Sequence, residues 1–126
     1  MMLNIIIRGV NFVIFGCIKE KDIKALIEFG ANVITIDKYA FKDWKKTHEQ
    51  NLIHIIIPDT IQIIGKSAFE SNQLTEVIIP ESVKNIGMNA FANNPLKYIR
   101  IPERFDSRIK EIFGDINIQN VKIDYY

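Results

Sequence analysis

The residues of this chain that could do chemistry are two histidines, one cysteine and scattered carboxylates. His48 and His54 are six residues apart, which is not the i, i+4 spacing that places two metal ligands on one helix face. Cys17 is the single cysteine, so it has no partner for an intramolecular disulfide or a cysteine-based metal cluster. The glycines form no phosphate-binding G-x-G-x-x-G or P-loop pattern. We therefore expect no catalytic, metal or cofactor site, and no enzyme.

Composition and charge set the class of protein. The chain has 126 residues, 48% of them hydrophobic, which is enough for one domain with a real core. Sixteen basic and fifteen acidic residues leave a formal net charge of +1. This balance offers no basic surface of the kind that nucleic acid or anionic membranes select, so we do not expect nucleic acid as a partner.

The apolar N-terminal stretch, residues 1–18, raises the question of an export signal or a lipid-modified Cys17. Arg8 divides this stretch, so neither a membrane span nor a clear signal peptide remains. Two adjacent strands, Leu3–Ile7 and Phe12–Phe15, are the favoured interpretation. The lack of a clear signal peptide favours an intracellular location.

Three segments repeat along the middle of the chain at a constant interval, because Pro58, Pro80 and Pro102 are evenly spaced. Each segment is a short apolar run that ends in proline, and the first two are followed by an apolar pattern that contains glycine and an Ala-Phe pair. A fixed period of this length indicates a repeat architecture. The three segments are Asn51–Pro58, Gln73–Pro80 and Pro95–Pro102. We call the interval from Pro58 to Pro80 the repeat interval.

The same register extends in both directions. Forward, Ile123 lies one repeat interval after Ile101, which predicts a fourth strand near the C-terminus. Backward, a longer offset aligns Phe41 with Phe69. Because this offset exceeds the repeat interval by six, six extra residues must lie between Phe41 and Leu52.

Alternation along a strand assigns the two faces of each repeat. Val77 and Ile79 are predicted to point inward, and Glu76 and Ile78 outward. Four phenylalanines at equivalent positions are predicted to stack as a column that one repeat cannot bury alone. They are Phe41, Phe69, Phe91 and Phe113.

Gly65 and Gly87 recur at a sharp turn, where we expect positive φ angles. Asp37 occupies the equivalent position in the earlier copy, and aspartate tolerates the left-handed region better than most residues do.

The recurring pattern L-x-x-I-x-I-P-x-x-V-x-x-I-G-x-x-A-F resembles the BspA-type leucine-rich repeat over roughly residues 30–123. The resemblance implies an α/β solenoid: a right-handed leucine-rich repeat with parallel strands and short helical turns. Members of this family occur in surface and host-interaction proteins. The resemblance therefore implies a cell-surface, adhesin-like role as the alternative to an intracellular one.

We expect a single domain over 1–126, with an N-terminal cap at 1–29, repeats at 30–104 and a C-terminal cap with the last strand at 105–126. Asp106 is predicted to be the N-cap of a cap helix that runs to Phe113 and stops at Gly114. The segment Lys19–Phe29 is predicted to form a helix, with a strand as the alternative.

The exposed sheet face is the predicted partner-binding site. Outward positions should stack in two columns of neighbouring strands. Exposed isoleucines beside tyrosine and arginine form an apolar centre with a polar rim, which is typical of protein-binding patches, although β-branched residues also simply suit strands. The first column is His54, Glu76, Tyr98 and Asn120, and the second is Ile56, Ile78, Arg100 and Lys122.

The insertion, 42–51, carries the only tryptophan, Trp44, in a loop that the repeat does not require. Extra loop residues often carry binding specificity, so Trp44 is a further candidate for partner contact. The alternative is that Trp44 folds back on the core. Another protein is the expected partner, and self-association stays open as the alternative.

Overall fold

The structure, a computed structural model, describes residues 5–8, 11–14, 32–46, 51–116 and 118–126. The helix or strand expected at 19–29 lies outside these residues, as do Cys17 and His48. The helix α1 (Ile109–Phe113) follows a 3₁₀ segment, Glu103–Arg108. The strands are β1 (Ile5–Arg8), β2 (Asn11–Ile14), β3 (Asn32–Ile36), β4 (Ile63–Ile64), β5 (Glu76–Ile78), β6 (Asn85–Ile86), β7 (Tyr98–Ile101) and β8 (Lys122–Tyr125).

The first sheet has the strand order β1-β2-β3-β4-β6. The strands β1 and β2 pair antiparallel, in agreement with the two strands expected near the N-terminus, and the other pairs are parallel. Ile36 pairs with Ile64 at the longer offset expected for the earlier copy, and Ile64 pairs with Ile86 at the repeat interval. Both spacings predicted from the sequence are therefore confirmed.

The second sheet contains the parallel strands β5-β7-β8. Ile78 pairs with Arg100 at the expected repeat interval. Tyr98, however, pairs with Lys122 and not with Asn120, so the expected register of the last strand is wrong by two. The cause is the connection, which contains α1 and a 3₁₀ turn at Ile118–Asn120 and needs two more residues than an inner repeat.

The predicted phenylalanine column runs through the hydrophobic core. Phe41 and Phe69 stack with their ring centroids 5.1 Å apart, and Phe69 and Phe91 stack at 5.2 Å. Phe91 and Phe113 continue the column at 5.5 Å. Buried side chains from both sheets, including Ile64 of β4, belong to the same hydrophobic cluster. Stacking of successive repeats therefore produces one continuous core.

Gly65 and Gly87 are needed for close packing between repeats, and the expectation of positive φ is wrong for both. A Cβ on Gly65 would lie 2.4 Å from the Lys38 nitrogen, and a Cβ on Gly87 would lie 2.4 Å from the Lys66 nitrogen. The backbone of the preceding repeat thus leaves no room for a side chain.

Positive φ angles occur two residues after these glycines. Ser67 has φ 55° and Asn89 has φ 58°, and Tyr39 has φ 61° at the equivalent position of the earlier copy. The turn that we assigned to the glycines is therefore made by non-glycine residues.

The C-terminal helical region partly differs from the expectation. The α-helix ends at Phe113 before Gly114, as predicted, and Gly114 has a φ of 70°. Ile109 and Ile112 of this helix are buried. The expected N-cap role of Asp106 is wrong, because the 3₁₀ segment begins at Glu103 and neither helical start has a side-chain cap. The Asp106 side chain instead accepts a hydrogen bond from Tyr125.

Candidate interaction surface

The outward face of the second sheet is the candidate surface, which we define by Glu76, Ile78, Tyr98, Arg100 and Lys122. Val77 on β5 and Ile99 on β7 are buried, so the strands present their remaining side chains to solvent, as alternation requires. Ile78 has 51% of its surface exposed. Tyr98 is only half-buried because its neighbours on the sheet cover part of it.

The segment Asn51–Pro58 continues this face beside β5. It contains no strand, but the Gln73 N–H donates a 3.0 Å hydrogen bond to the Leu52 carbonyl and holds the two segments together. Ile57 is buried, whereas Ile56 is 64% exposed and His54 is exposed as well. His54 and Ile56 are thus both accessible to solvent.

A polar network fixes the side chains at the other end of the face. The Tyr98 hydroxyl donates a 3.1 Å hydrogen bond to the Asp124 carboxylate, and Arg100 lies 3.9 Å from the same carboxylate. The Arg100 guanidinium also stacks over the Tyr126 ring, and the Lys122 ammonium lies over the Tyr98 ring. Partial burial, together with the bond to Asp124, raises the pKa of the Tyr98 hydroxyl.

The shifted register of β8 changes the positions of two residues of the predicted columns, Asn120 and Lys122. Lys122 lies beside Tyr98, where Asn120 was expected, and Asp124 lies beside Arg100, where Lys122 was expected. Asn120 is exposed in the 3₁₀ turn before β8. Asp124, which sequence reasoning missed, would follow from the alternation within β8 once the longer connection is known.

Trp44 packs back on the core. Its backbone N–H donates a 3.0 Å hydrogen bond to the Asn72 side chain. The indole is half-buried against the core and lies 5.8 Å from the Phe41 ring.

Asn72 and Asn94 form a ladder that sequence reasoning missed. The Asn72 amide donates to the Phe41 and Phe69 carbonyls at 2.8 and 3.0 Å. The Asn94 amide donates to the Phe69 and Phe91 carbonyls at 3.0 and 2.9 Å. The recurrence of asparagine at the repeat interval was the available signal, and these bonds tie adjacent repeats together at the turn.

In the described part of the chain, no group of three or more His, Cys, Asp or Glu residues is placed to hold a metal ion. No helix of those same residues has the length and apolar character needed to cross a membrane.

The comparisons with known proteins bear on the family. A family model described as a BspA type leucine rich repeat region (6 copies) matches residues 47–125. A leucine-rich repeat protein from Bacteroides ovatus superimposes with a TM-score of 0.48 and 18% identity, covering 75% of this chain. The match covers 28% of that protein's chain. No curated protein matches the sequence.

Leucine-rich repeats generally mediate protein–protein interaction or adhesion and are typically non-enzymatic scaffolds. The family model covers more than half of the 126 residues. The chain therefore belongs to the BspA-type leucine-rich repeat family.

Proposed function

We propose that this protein is a non-enzymatic interaction module that binds another protein through the outward face of the second sheet. The observation that carries the proposal is the exposure of two large apolar side chains on this face, 64% for Ile56 and 51% for Ile78. Charged Glu76 and Arg100 border them. An apolar centre with a polar rim is the composition that protein interfaces favour.

Preorganisation supports the same proposal. Arg100 is held by Asp124 and by the Tyr126 ring, so little side-chain entropy would be lost when it meets a partner. The β-strands also form a more rigid platform than loops do. Trp44 packs against Phe41, so we assign no direct partner contact to it.

The wider architecture is part of the proposal. We take residues 1–126 as one right-handed solenoid domain with a helical segment closing its C-terminal end. The module needs no cofactor, because it acts through its surface. An adhesin-like role at a cell surface is the alternative setting, and the same face would serve in it.

Site-specific photo-crosslinking tests the face directly. A photoreactive phenylalanine analogue at position 78 is expected to capture a protein in cells that express the chain. The same analogue at position 63 is the matched control, because Ile63 is an isoleucine that is 40% exposed on the first sheet. Equal capture of the same protein from both positions would contradict binding by the second sheet.

A substitution then tests whether the apolar centre drives the binding. Ile78→Asp introduces a charge in the middle of the face and should weaken capture of that protein about tenfold or more. Ile63→Asp makes the same change on the other sheet and should leave capture unchanged. Unchanged binding by Ile78→Asp would overturn the proposal.

A further inference from the structure

The two sheets end differently at the C-terminal side of the repeats. In the first sheet, the Ile36 and Ile64 carbonyls accept hydrogen bonds of 2.8 Å from the N–H groups of Gly65 and Gly87. The Ile86 carbonyl, at the next position, accepts a 2.7 Å bond from the Arg108 guanidinium. A side chain there replaces the backbone of a further repeat.

Arg104 also binds backbone carbonyls at this end of the repeats. Its guanidinium donates to the backbone carbonyls of Glu81 and Val83, and also binds the Glu81 carboxylate at 2.9 Å. The edge of the first sheet beyond β6 therefore carries a charged donor that leaves the Ile86 carbonyl unavailable to another strand.

In the described part of the chain, no such side-chain closure is found at the β8 edge of the second sheet. Among residues 5–8, 11–14, 32–46, 51–116 and 118–126, no strand pairs with the outer side of β8. The Lys122 and Tyr126 N–H groups bond to the Lys97 and Ile101 carbonyls of the β7 side. Because backbone groups alternate along a strand, the N–H and carbonyl groups of Ile123 and Tyr125 point to the open side.

We propose that β8 pairs with β8 of a second copy of this chain, antiparallel and centred on Ile123, to form a two-fold symmetric dimer. A two-fold axis that passes between the two strands at Ile123 places only this residue opposite its own symmetry counterpart. Ile123 then faces the partner's Ile123, and residues at equal distances on either side face each other.

Charge complementarity favours this register. Lys122 faces the partner's Asp124, and Asp124 faces the partner's Lys122, so the dimer contains two opposite-charge pairs. Centring the pair on Asp124 would place two carboxylates opposite each other, and centring it on Lys122 would oppose two ammonium groups. Repulsion therefore disfavours both of these neighbouring registers.

The hydrogen-bonding phase of β8 fits the same register. Ile123 directs both of its backbone groups to the open side, so two copies facing each other exchange two N–H to carbonyl bonds. Lys122 and Asp124 then fall at the non-hydrogen-bonded positions, where side chains approach more closely. The opposite charges thus occupy the sites at which cross-strand pairs interact most strongly.

Apolar surface lies under the open edge. Ile123 and Val121 are half-buried, and Tyr125 has 37% of its surface exposed. Ile123 and Tyr125 line a cleft of about 430 Å³ beside the helical segment, together with Ile109. In the dimer the partner's Val121 lies opposite Tyr125 and covers part of this surface.

Sedimentation velocity on the full chain tests the proposal. The wild type should change from monomer to dimer between about 1 µM and about 1 mM, the range in which weak interfaces associate. Lys122→Glu places a carboxylate opposite the partner's Asp124, and Asp124→Lys places an ammonium opposite the partner's Lys122. Each variant alone should raise the dissociation constant about tenfold or more.

Mixing Lys122→Glu with Asp124→Lys tests whether these two positions face each other across the dimer. In the mixed pair, every acidic side chain at positions 122 and 124 again faces a basic one, so heterodimers should form near the wild-type concentration. Lys66→Glu makes the same charge change at an exposed lysine of another repeat and should dimerise as the wild type does. Circular dichroism confirms that each variant is folded.

Each negative result is informative. A wild-type chain that stays monomeric over the whole range overturns the proposal. So does a dimer that is indifferent to both charge changes, or two folded variants whose mixture does not form heterodimers. Because these experiments use only the purified chain, they can fail while the sheet face still binds a partner, and the reverse also holds.

Discussion

Between the interior repeats, the Ile64 carbonyl accepts a hydrogen bond from the Gly87 N–H, whereas at the C-terminal side the Ile86 carbonyl accepts one from the Arg108 guanidinium. The interior contact requires two backbones to touch, which is why position 87 is glycine. The terminal contact needs only a long charged side chain. The first sheet is thus closed by replacing a strand with arginine donors.

In the second sheet, the backbone groups at the corresponding edge are not paired by side chains of the described residues. There β7 pairs with β5 and β8 pairs with β7, but no described strand pairs with the outer side of β8. At the C-terminal side of the repeats, further strand pairing is therefore directed to β8.

The largest effect is expected from breaking an interior contact. Gly87→Ala places a Cβ 2.4 Å from the Lys66 nitrogen, and because backbone atoms cannot rotate away, the repeats must separate. We expect a loss of about 3 kcal/mol in the free energy of unfolding, measured by urea denaturation. Lys66→Ala is the control, since the contact uses only the backbone, and it should change stability by less than about 0.5 kcal/mol. Equal losses would contradict the backbone contact.

An intermediate effect is expected at the closed edge. Arg108→Ala removes the donor to the Ile86 carbonyl and also the ion pair with Glu111, whose 2.9 Å bonds lower the pKa of Glu111. The expected loss is about 1 to 2 kcal/mol, because solvent can reach part of the freed carbonyl.

Lys110→Ala is the matched control for this edge, since it removes an exposed basic side chain from the same helix. We expect it to leave the urea midpoint nearly unchanged. If Arg108→Ala also left the urea midpoint unchanged, the result would contradict a role of Arg108 in closing this edge.

The smallest effect is expected at the open edge and depends on pH. Burial and a hydrogen bond to Asp106 raise the pKa of Tyr125 from 10.0 to about 12. The folded state therefore favours the neutral hydroxyl, and this contribution is fully present below pH 10 and disappears between about pH 10 and pH 12. Tyr125→Phe should weaken the loss of stability across that window, as urea denaturation at each pH would show. An unchanged pH profile would contradict the assigned bond.

Sequence periodicity predicted the features that recur in every repeat. The phenylalanine column, the inward Val77 and the longer offset between Ile36 and its partner all follow from side-chain alternation and stacking. Gly87 was located correctly but for the wrong reason, because the approach of a neighbouring backbone is not visible in one repeat. Asn72 and Asn94 recur too, but their role depends on carbonyls brought from other repeats.

The features at the C-terminal side do not recur, so the period could not predict them. The pairing of Lys122 with Tyr98 depends on how many residues the helical connection consumes. The reach of Arg104 and Arg108 to carbonyls of the preceding repeat depends on the path of that connection. For the same reason, the candidate face was predicted well on β5 and β7 and less well on β8.

Amide hydrogen exchange along β8, followed by NMR, tests the open edge most directly. In dilute protein the Ile123 and Tyr125 amides should exchange at least about tenfold faster than those of Lys122 and Tyr126, which bond to the β7 side. At high concentration the fast pair should become protected as β8 of a second copy covers it. Equal protection of all four amides in dilute protein, or fast exchange that concentration does not change, would contradict an open edge that pairs with itself.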